Sequence, residues 1–196
     1  MLTFIFAFFL LIITPGPGVL SIAGVGSAFG FKYGIRYLIG LFLGTNLVAL
    51  AVVSGVAALF FTSPFLRVTL LTISCSYLLY LAWNIAFSGS EVSFKKYSHK
   101  PGILSGIFLQ IVNPKAYVVS ATLFSGFPLV QNSYSLEIFL KLLITNLIWI
   151  PVHFLWLYIG VAMKRLNLSV KTQRGINYAM GLAMVGVVLL SVFAFL

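Results

Sequence analysis

Acidic residues are nearly absent from this chain. Of its 196 residues only Glu91 and Glu137 are acids, against 12 Lys or Arg, and charged residues of both signs make up 7%. A soluble domain carries about 25% charged residues, so a chain this poor in charge and 61% hydrophobic cannot cover a water-soluble fold. With two acids, two histidines and one cysteine, Cys75, there is no paired-carboxylate site and no ligand set for a metal. A single cysteine forms no internal disulfide, so cysteine usage carries no information about redox compartment. There is no phosphate-binding loop and no nucleophile, base and orienter that the sequence can assemble. Neither a catalytic residue nor a cofactor is therefore expected.

What is present is a series of long apolar runs. A bilayer crossing needs about 20 apolar residues, and six charge-free stretches supply them: within Leu2 to Gly24, within Tyr37 to Phe61, and from about Val68 to Phe87, Ile103 to Phe127, Leu142 to Met163 and Gly175 to Leu196. A Thr62-Ser63-Pro64 turn separates the second from the third. The first run lacks a basic leader region and continues without charge to Phe31, so it reads as a span and not as a cleaved signal peptide. No stretch is long or polar enough for a soluble domain, so residues 1–196 form one membrane unit.

The basic residues explain themselves by position. Nine lie in the loops after spans one, three and five: Lys32, Arg36, Lys95, Lys96, Lys100, Lys164, Arg165, Lys171 and Arg174. Arg67 and Lys141 alone serve the loops after spans two and four. This places the odd loops in the cytoplasm and both termini outside. The net charge of +10 is thus a topology signal that also favours anionic lipid head groups, and no nucleic-acid partner is expected. Self-association into a homo-oligomer is left open.

The two halves resemble one another in order. Thr14-Pro15-Gly16-Pro17 in span one has a partner in Asn113-Pro114-Lys115 in span four, with Pro15 and Pro114 offset by 99. Thr45-Asn46-Leu47 returns as Thr145-Asn146-Leu147 at an offset of 100, and Tyr77 and Leu81-Ala82 as Tyr178 and Leu182-Ala183 at 101. The expected fold is all-α: six transmembrane helices as two three-helix halves, 1–90 and 101–196, with helices one and four broken. Three spans per half is odd, so the second half is inverted relative to the first. In inverted-repeat transporters, interrupted helices at matching positions mark a substrate site near the bilayer midplane.

The candidate site residues follow from that pattern. Two prolines and two glycines in Pro15-Gly16-Pro17-Gly18 break a helix, and broken helix at membrane depth survives only where protein buries it or water reaches it. The alternative is a packing kink. Lys115 is the one full charge expected inside a span, with no acid in any span to pair with it. It binds a substrate carboxylate, caps carbonyls freed at the break, or snorkels to an interface. Gln110, Asn113, Tyr117 and Ser120 share a helical face beside it, if Pro114 does not disturb the register. In span five Asn146, Trp149, His153 and Trp156 share another. Imidazole titrates near neutral pH in water, which makes His153 a candidate proton carrier; a neutral ring bonded to a carbonyl is the equal alternative. Asn46 mirrors Asn146 and is either a ligand contact or glue between helices. Gly40 and Gly44 read as close helix packing, and Tyr77, Tyr80 and Trp83 as packing or interfacial groups.

Taken together, Thr14-Pro-Gly-Pro-Gly18, Gly40 to Asn46, Tyr77-Leu-Leu-Tyr-Leu-Ala-Trp83 and Asn113-Pro-Lys115 resemble the LysE/RhtB family of amino-acid exporters over essentially the whole chain. Ala82-Trp-Asn-Ile-Ala86 and Phe108-Leu-Gln-Ile-Val-Asn113 are similar to its cysteine and O-acetylserine exporter branch. The resemblance implies proton-driven export of amino acids or close derivatives across a bacterial cytoplasmic membrane. It carries over Pro15, Gly16, Pro17, Asn113, Pro114 and Lys115 as functional positions. Many members have an acid in the second or fifth span, where this chain has Asn46 and His153. Two other readings stand beside it. One is an inorganic-ion (metal) exporter of similar architecture, against which the scarcity of acids counts. The other is a membrane-embedded enzyme using His153 or Cys75.

Overall fold

The computed structural model describes residues 1–14, 16–57, 63–87, 100–130, 133–165 and 169–193. Pro15, Thr62, Glu91, Lys95, Lys96 and His99 lie outside the described residues. Eight helices are described: α1 (Leu2–Ile13), α2 (Pro17–Phe29), α3 (Phe31–Val53), α4 (Pro64–Ala86), α5 (Ile103–Val112), α6 (Pro114–Gly126), α7 (Tyr134–Arg165) and α8 (Val170–Phe193). No strand occurs among the described residues.

Proline sets three of the starts. Pro17, Pro64 and Pro114 each open a helix, where the missing N–H costs nothing and the fixed φ suits the first turn. Gly30 makes the corner between α2 and α3 with φ 80°, a left-handed conformation that side chains resist. Within the helices, Thr45, Thr69, Thr72, Ser125 and Thr145 return their hydroxyls to carbonyls four residues back. A polar side chain in an apolar setting is satisfied this way without leaving its own helix.

The expected breaks are there. α1 and α2 meet at a bend of 51°, and α5 and α6 at one of 66°. Taken as one span each, the two bent pairs are long and apolar enough to cross a bilayer, as are Phe31–Val53 and Tyr134–Met163 alone. Leu2, Phe6, Leu10, Leu104, Leu147, Tyr158 and Leu182 are more than half exposed. So much outward apolar surface fits a hydrocarbon solvent and not water.

Three helix pairs carry the packing: α3 on α5, α2 on α7 and α4 on α8. Glycine shapes all three; a Cβ on Gly181 of α8 would lie 2.9 Å from the Ala82 carbonyl of α4. A Cβ on Gly40 would strike the Ile103 carbonyl, one on Gly106 the Tyr37 carbonyl, and one on Gly44 would lie 2.7 Å from Gln110 Cβ. Across α2 and α7, a Cβ on Gly160 would strike the Ala23 carbonyl, and one on Gly26 would lie 2.9 Å from the Leu157 carbonyl. Backbones that touch this closely require hydrogen as the side chain, as read for Gly40 and Gly44. Tyr77 donates to the Ser105 carbonyl at 3.0 Å and packs edge-on to Phe108, while Tyr80 and Trp83 face outward.

Helix α7 departs from expectation. It begins at Tyr134 and not near Leu142, which brings Glu137 and Lys141 into a span-length helix. Lys115 is therefore not the only charge there. Lys141 is 1% exposed and pairs with Glu137 at 2.7 Å, one turn away. Its ammonium also donates to the Phe124 carbonyl at 2.9 Å, near the C-terminal end of α6.

Candidate functional site

Both helix breaks open onto one cavity. It is walled by α1 and α2, α3, α5 and α6, and α7, and its free volume is about 80 Å³. On the scale where one water takes about 10–15 Å³, that is room for roughly five to eight water-sized groups, the size of a compact amino acid. Gly16, Gly18, Asn46, Asn113, Lys115, Asn146 and His153 all line it. Pro17 is buried and Pro114 half-buried at the first positions of α2 and α6; neither is among the lining residues, and both act by starting a helix.

The two breaks differ in how their amides are satisfied. At the second, Asn113 caps α6: its Oδ1 accepts from the Lys115 N–H at 3.1 Å. At the first, Gly16 caps α2 with no side chain to offer, so the Gly18 and Val19 amides start α2 beside the cavity that both residues line. The positive end of a helix dipole and uncapped amides favour an anion. Lys115 adds a full charge at the same place. Its Nζ donates to the Thr14 carbonyl at 2.9 Å and lies 3.0 Å from where a Cβ on Gly16 would stand. Of the readings open for Lys115, capping a freed carbonyl is the one seen. The remaining ammonium hydrogens leave it able to meet a carboxylate as well.

A chain of side-chain bonds floors the cavity. Asn113 Nδ2 donates to Gln110 Oε1 at 2.8 Å, Gln110 Nε2 donates to Thr45 Oγ1 at 2.6 Å, and Thr45 donates to the Leu41 carbonyl at 2.8 Å. On the facing wall Asn46 and Asn146 bond reciprocally, each amide nitrogen on the other's oxygen, at 3.1 and 2.9 Å. Thr145 repeats the local bond of Thr45, donating to the Lys141 carbonyl at 2.8 Å.

His153 is buried, stacked on Trp149 with ring centroids 3.6 Å apart. Its Nδ1 lies 3.0 Å from the Trp149 carbonyl. A carbonyl only accepts, so Nδ1 carries hydrogen and Nε2 is the nitrogen left for other chemistry. Nε2 lies 3.6 Å from where a Cβ on Gly18 would stand, which aims it at the first break. Asn146, Trp149 and His153 share the cavity wall as their spacing implies; Trp156 is not in it. Gln110, Asn113 and Ser120 also line it, but Tyr117 is turned away by the break at Asn113 and donates to the Ile111 carbonyl at 2.8 Å. The break also shifts the register between the halves. The first helical residue after each break is Pro17 or Pro114, 97 apart, where the sequence alignment pairs Pro15 with Pro114.

Sequence reasoning passed over Thr45 as a site residue, read Glu137 as a loop residue and set Lys141 at the start of span five. The signal for the first was its repetition at Thr145. For the pair it was the i, i+4 spacing of opposite charges at the head of an apolar run.

Among the described residues the chain is an apolar helical bundle with two broken helices around a small, largely apolar cavity that several polar side chains enter, an architecture that fits a membrane translocator. Residues 9–193 match the profile described as "LysE type translocator", and the chain belongs to that family, whose members are transporters and not enzymes. Among curated relatives, the "Cysteine/O-acetylserine efflux protein" of Salmonella paratyphi A is 34% identical over 122 residues, as is that of Salmonella typhi. The "Leucine efflux protein" of an Enterobacter species is 27% identical over 132 residues. The first two matches cover 61% of this chain and 61% of each relative, the third 64% and 62%. The chain thus spans less than two thirds of the curated relatives it matches. No solved structure matches it.

Proposed function

We propose that this chain is a secondary exporter of small amino acids or their close derivatives across a bacterial cytoplasmic membrane, driven by the proton gradient. Its six spans form two inverted halves, 1–90 and 101–196, with the basic loops after spans one, three and five in the cytoplasm and both termini outside. The observation that carries the reading is the junction of the two breaks: Lys115 of one half holds the Thr14 carbonyl of the other at the floor of an amino-acid-sized cavity. The names of the efflux relatives point to cysteine, O-acetylserine or leucine as the first substrates to test.

In this mechanism the substrate carboxylate meets the Lys115 ammonium and the Gly18 and Val19 amides, where charge and dipole favour an anion. The amide oxygens of Asn46, Asn146 and Gln110 take the substrate ammonium and fix its orientation. Pro17 and Pro114, which open α2 and α6, hold the helices broken so that these groups meet at the cavity. His153 Nε2, aimed at the same break, accepts a proton from one side and releases it to the other as the halves rock. The reciprocal Asn46 and Asn146 pair supports the inverted arrangement, since two equivalent residues meet each other where a two-fold axis crosses.

The test is efflux of a labelled amino-acid panel from preloaded cells, with and without a proton uncoupler, for the parent chain and Lys115→Ala. Uncoupler-sensitive efflux of one or a few amino acids, lost in Lys115→Ala at normal membrane insertion, is expected. Efflux retained by that variant would refute the carboxylate-binding role. An absence of amino-acid efflux from correctly inserted parent protein would refute the substrate class.

A further inference from the structure

A second cavity lies beyond the first, toward the end of the bundle where α3 ends at Val53 and α7 begins at Tyr134. Its free volume is about 590 Å³, and its walls are the C-terminal end of α3, the outward face of α6 and the first turns of α7. Val52, Val118, Ala121 and Ile138 make it largely apolar, yet Glu137 and Lys141 both line it. A fully buried ammonium is costly in a membrane span, and here its one acidic partner lies beside it at 2.7 Å. The ammonium is held by Glu137 and by the Phe124 carbonyl and is almost fully covered, while the Glu137 side chain is 17% exposed. Phe124 lines both cavities. Its ring centroid is 5.9 Å from Lys141 Nζ, so the same lysine holds the backbone and the ring of the residue that divides them.

We infer that the second cavity is an outer station for the transported amino acid. Lys141 exchanges the Phe124 carbonyl for the substrate carboxylate, Glu137 faces the ammonium, and Phe124 is the partition between this station and the cavity at the breaks. A cation and an anion one helical turn apart in an apolar chamber match a zwitterion with an uncharged side chain. They offer nothing to a lipid chain. The inference rests on the export reading above.

The experiment uses the full chain with Cys75→Ser in proteoliposomes, carrying one new cysteine at Ala116, which lines only the cavity at the breaks, or at Ala121, which lines only the second. Alkylation by a membrane-impermeant methanethiosulfonate is timed with and without L-leucine or O-acetyl-L-serine. A probe at about ten times its Kd leaves about a tenth of sites free and slows alkylation about tenfold. Protection is expected at both positions. It should be lost at position 121 but not at 116 when Glu137→Gln or Lys141→Gln is added, and kept with Lys141→Arg. Protection at 116 alone overturns the outer station and leaves the export site standing; protection at neither overturns both. Reaction at 121 only with a membrane-permeant reagent shows a chamber open to lipid, and also overturns it.

Discussion

The reciprocal amide pair gives the sharpest energetic test of how the halves meet. Asn46→Leu removes both bonds to Asn146, at 3.1 and 2.9 Å, together with the bond from Asn46 to the Phe42 carbonyl at 2.9 Å. Asn146→Leu removes the two shared bonds. Interhelical hydrogen bonds in membranes contribute about 0.6 kcal/mol on average and about 1.7 at most, so two such bonds couple the residues by about 1–3 kcal/mol. Both residues are only half-buried beside a polar cavity, where water can replace a lost partner, so the lower part of that range is expected. The double variant leaves neither amide facing an unpaired partner and should be less destabilised than the sum of the singles by about 1 kcal/mol or more. Unfolding in mixed micelles at rising SDS fraction measures all four corners of the cycle. Residues that do not interact add to within about 0.3–0.5 kcal/mol; additivity at that level would refute the direct contact, and with it the main support for a two-fold axis at this point.

Lys115→Met should weaken substrate binding about 10–100-fold, the equivalent of one charge-assisted bond of about 1.5–3 kcal/mol, as read by titration of the purified protein; unchanged affinity would remove Lys115 from the site. Gly160→Ala places a methyl against the Ala23 carbonyl and should cost about 1–3 kcal/mol through overpacking. Gly186→Ala, where a Cβ meets nothing within 4 Å, should instead stabilise α8 by about 0.5–1 kcal/mol; both are read in the same SDS titration, and equal effects would contradict the glycine-seam account. His153→Gln should retain efflux down a substrate gradient while losing sensitivity to an uncoupler, and sensitivity equal to the parent would exclude the imidazole as the coupling group.

The helices were legible because each apolar run is bounded by charge or proline, and the breaks because Gly16, Pro17 and Pro114 leave a helix few alternatives. Asn46 and Asn146 were legible as partners only through their equal place in a repeat; spacing alone does not reveal that they touch. Tyr117 was misplaced because one non-helical residue, Asn113, rotates everything after it off the face that begins at Gln110. Glu137 was read as a loop residue and Lys141 as standing at the start of its span because a charge ordinarily ends a span. Their mutual neutralisation removes that reason, but neutralisation depends on a helical turn that must form first. The rival roles of Lys115 could not be ranked in advance, because the carbonyl it holds belongs to the other half of the chain.

The glycine seams divide the molecule more deeply than its polar groups do. Stations such as Asn46 and Asn146 or Thr45 and Thr145 are duplicated between the halves, but Gly40 and Gly44 correspond by the same offset to Leu140 and Ile144. Helix α3 lies against α5 backbone to backbone at these two glycines, while α7 reaches the same closeness to α2 through a different one, Gly160, against Ala23. The two seams are thus equally close but built from positions that the offset of 100 does not relate. Any motion that parts α3 from α5, or α2 from α7, must give up this backbone contact along a whole seam at once.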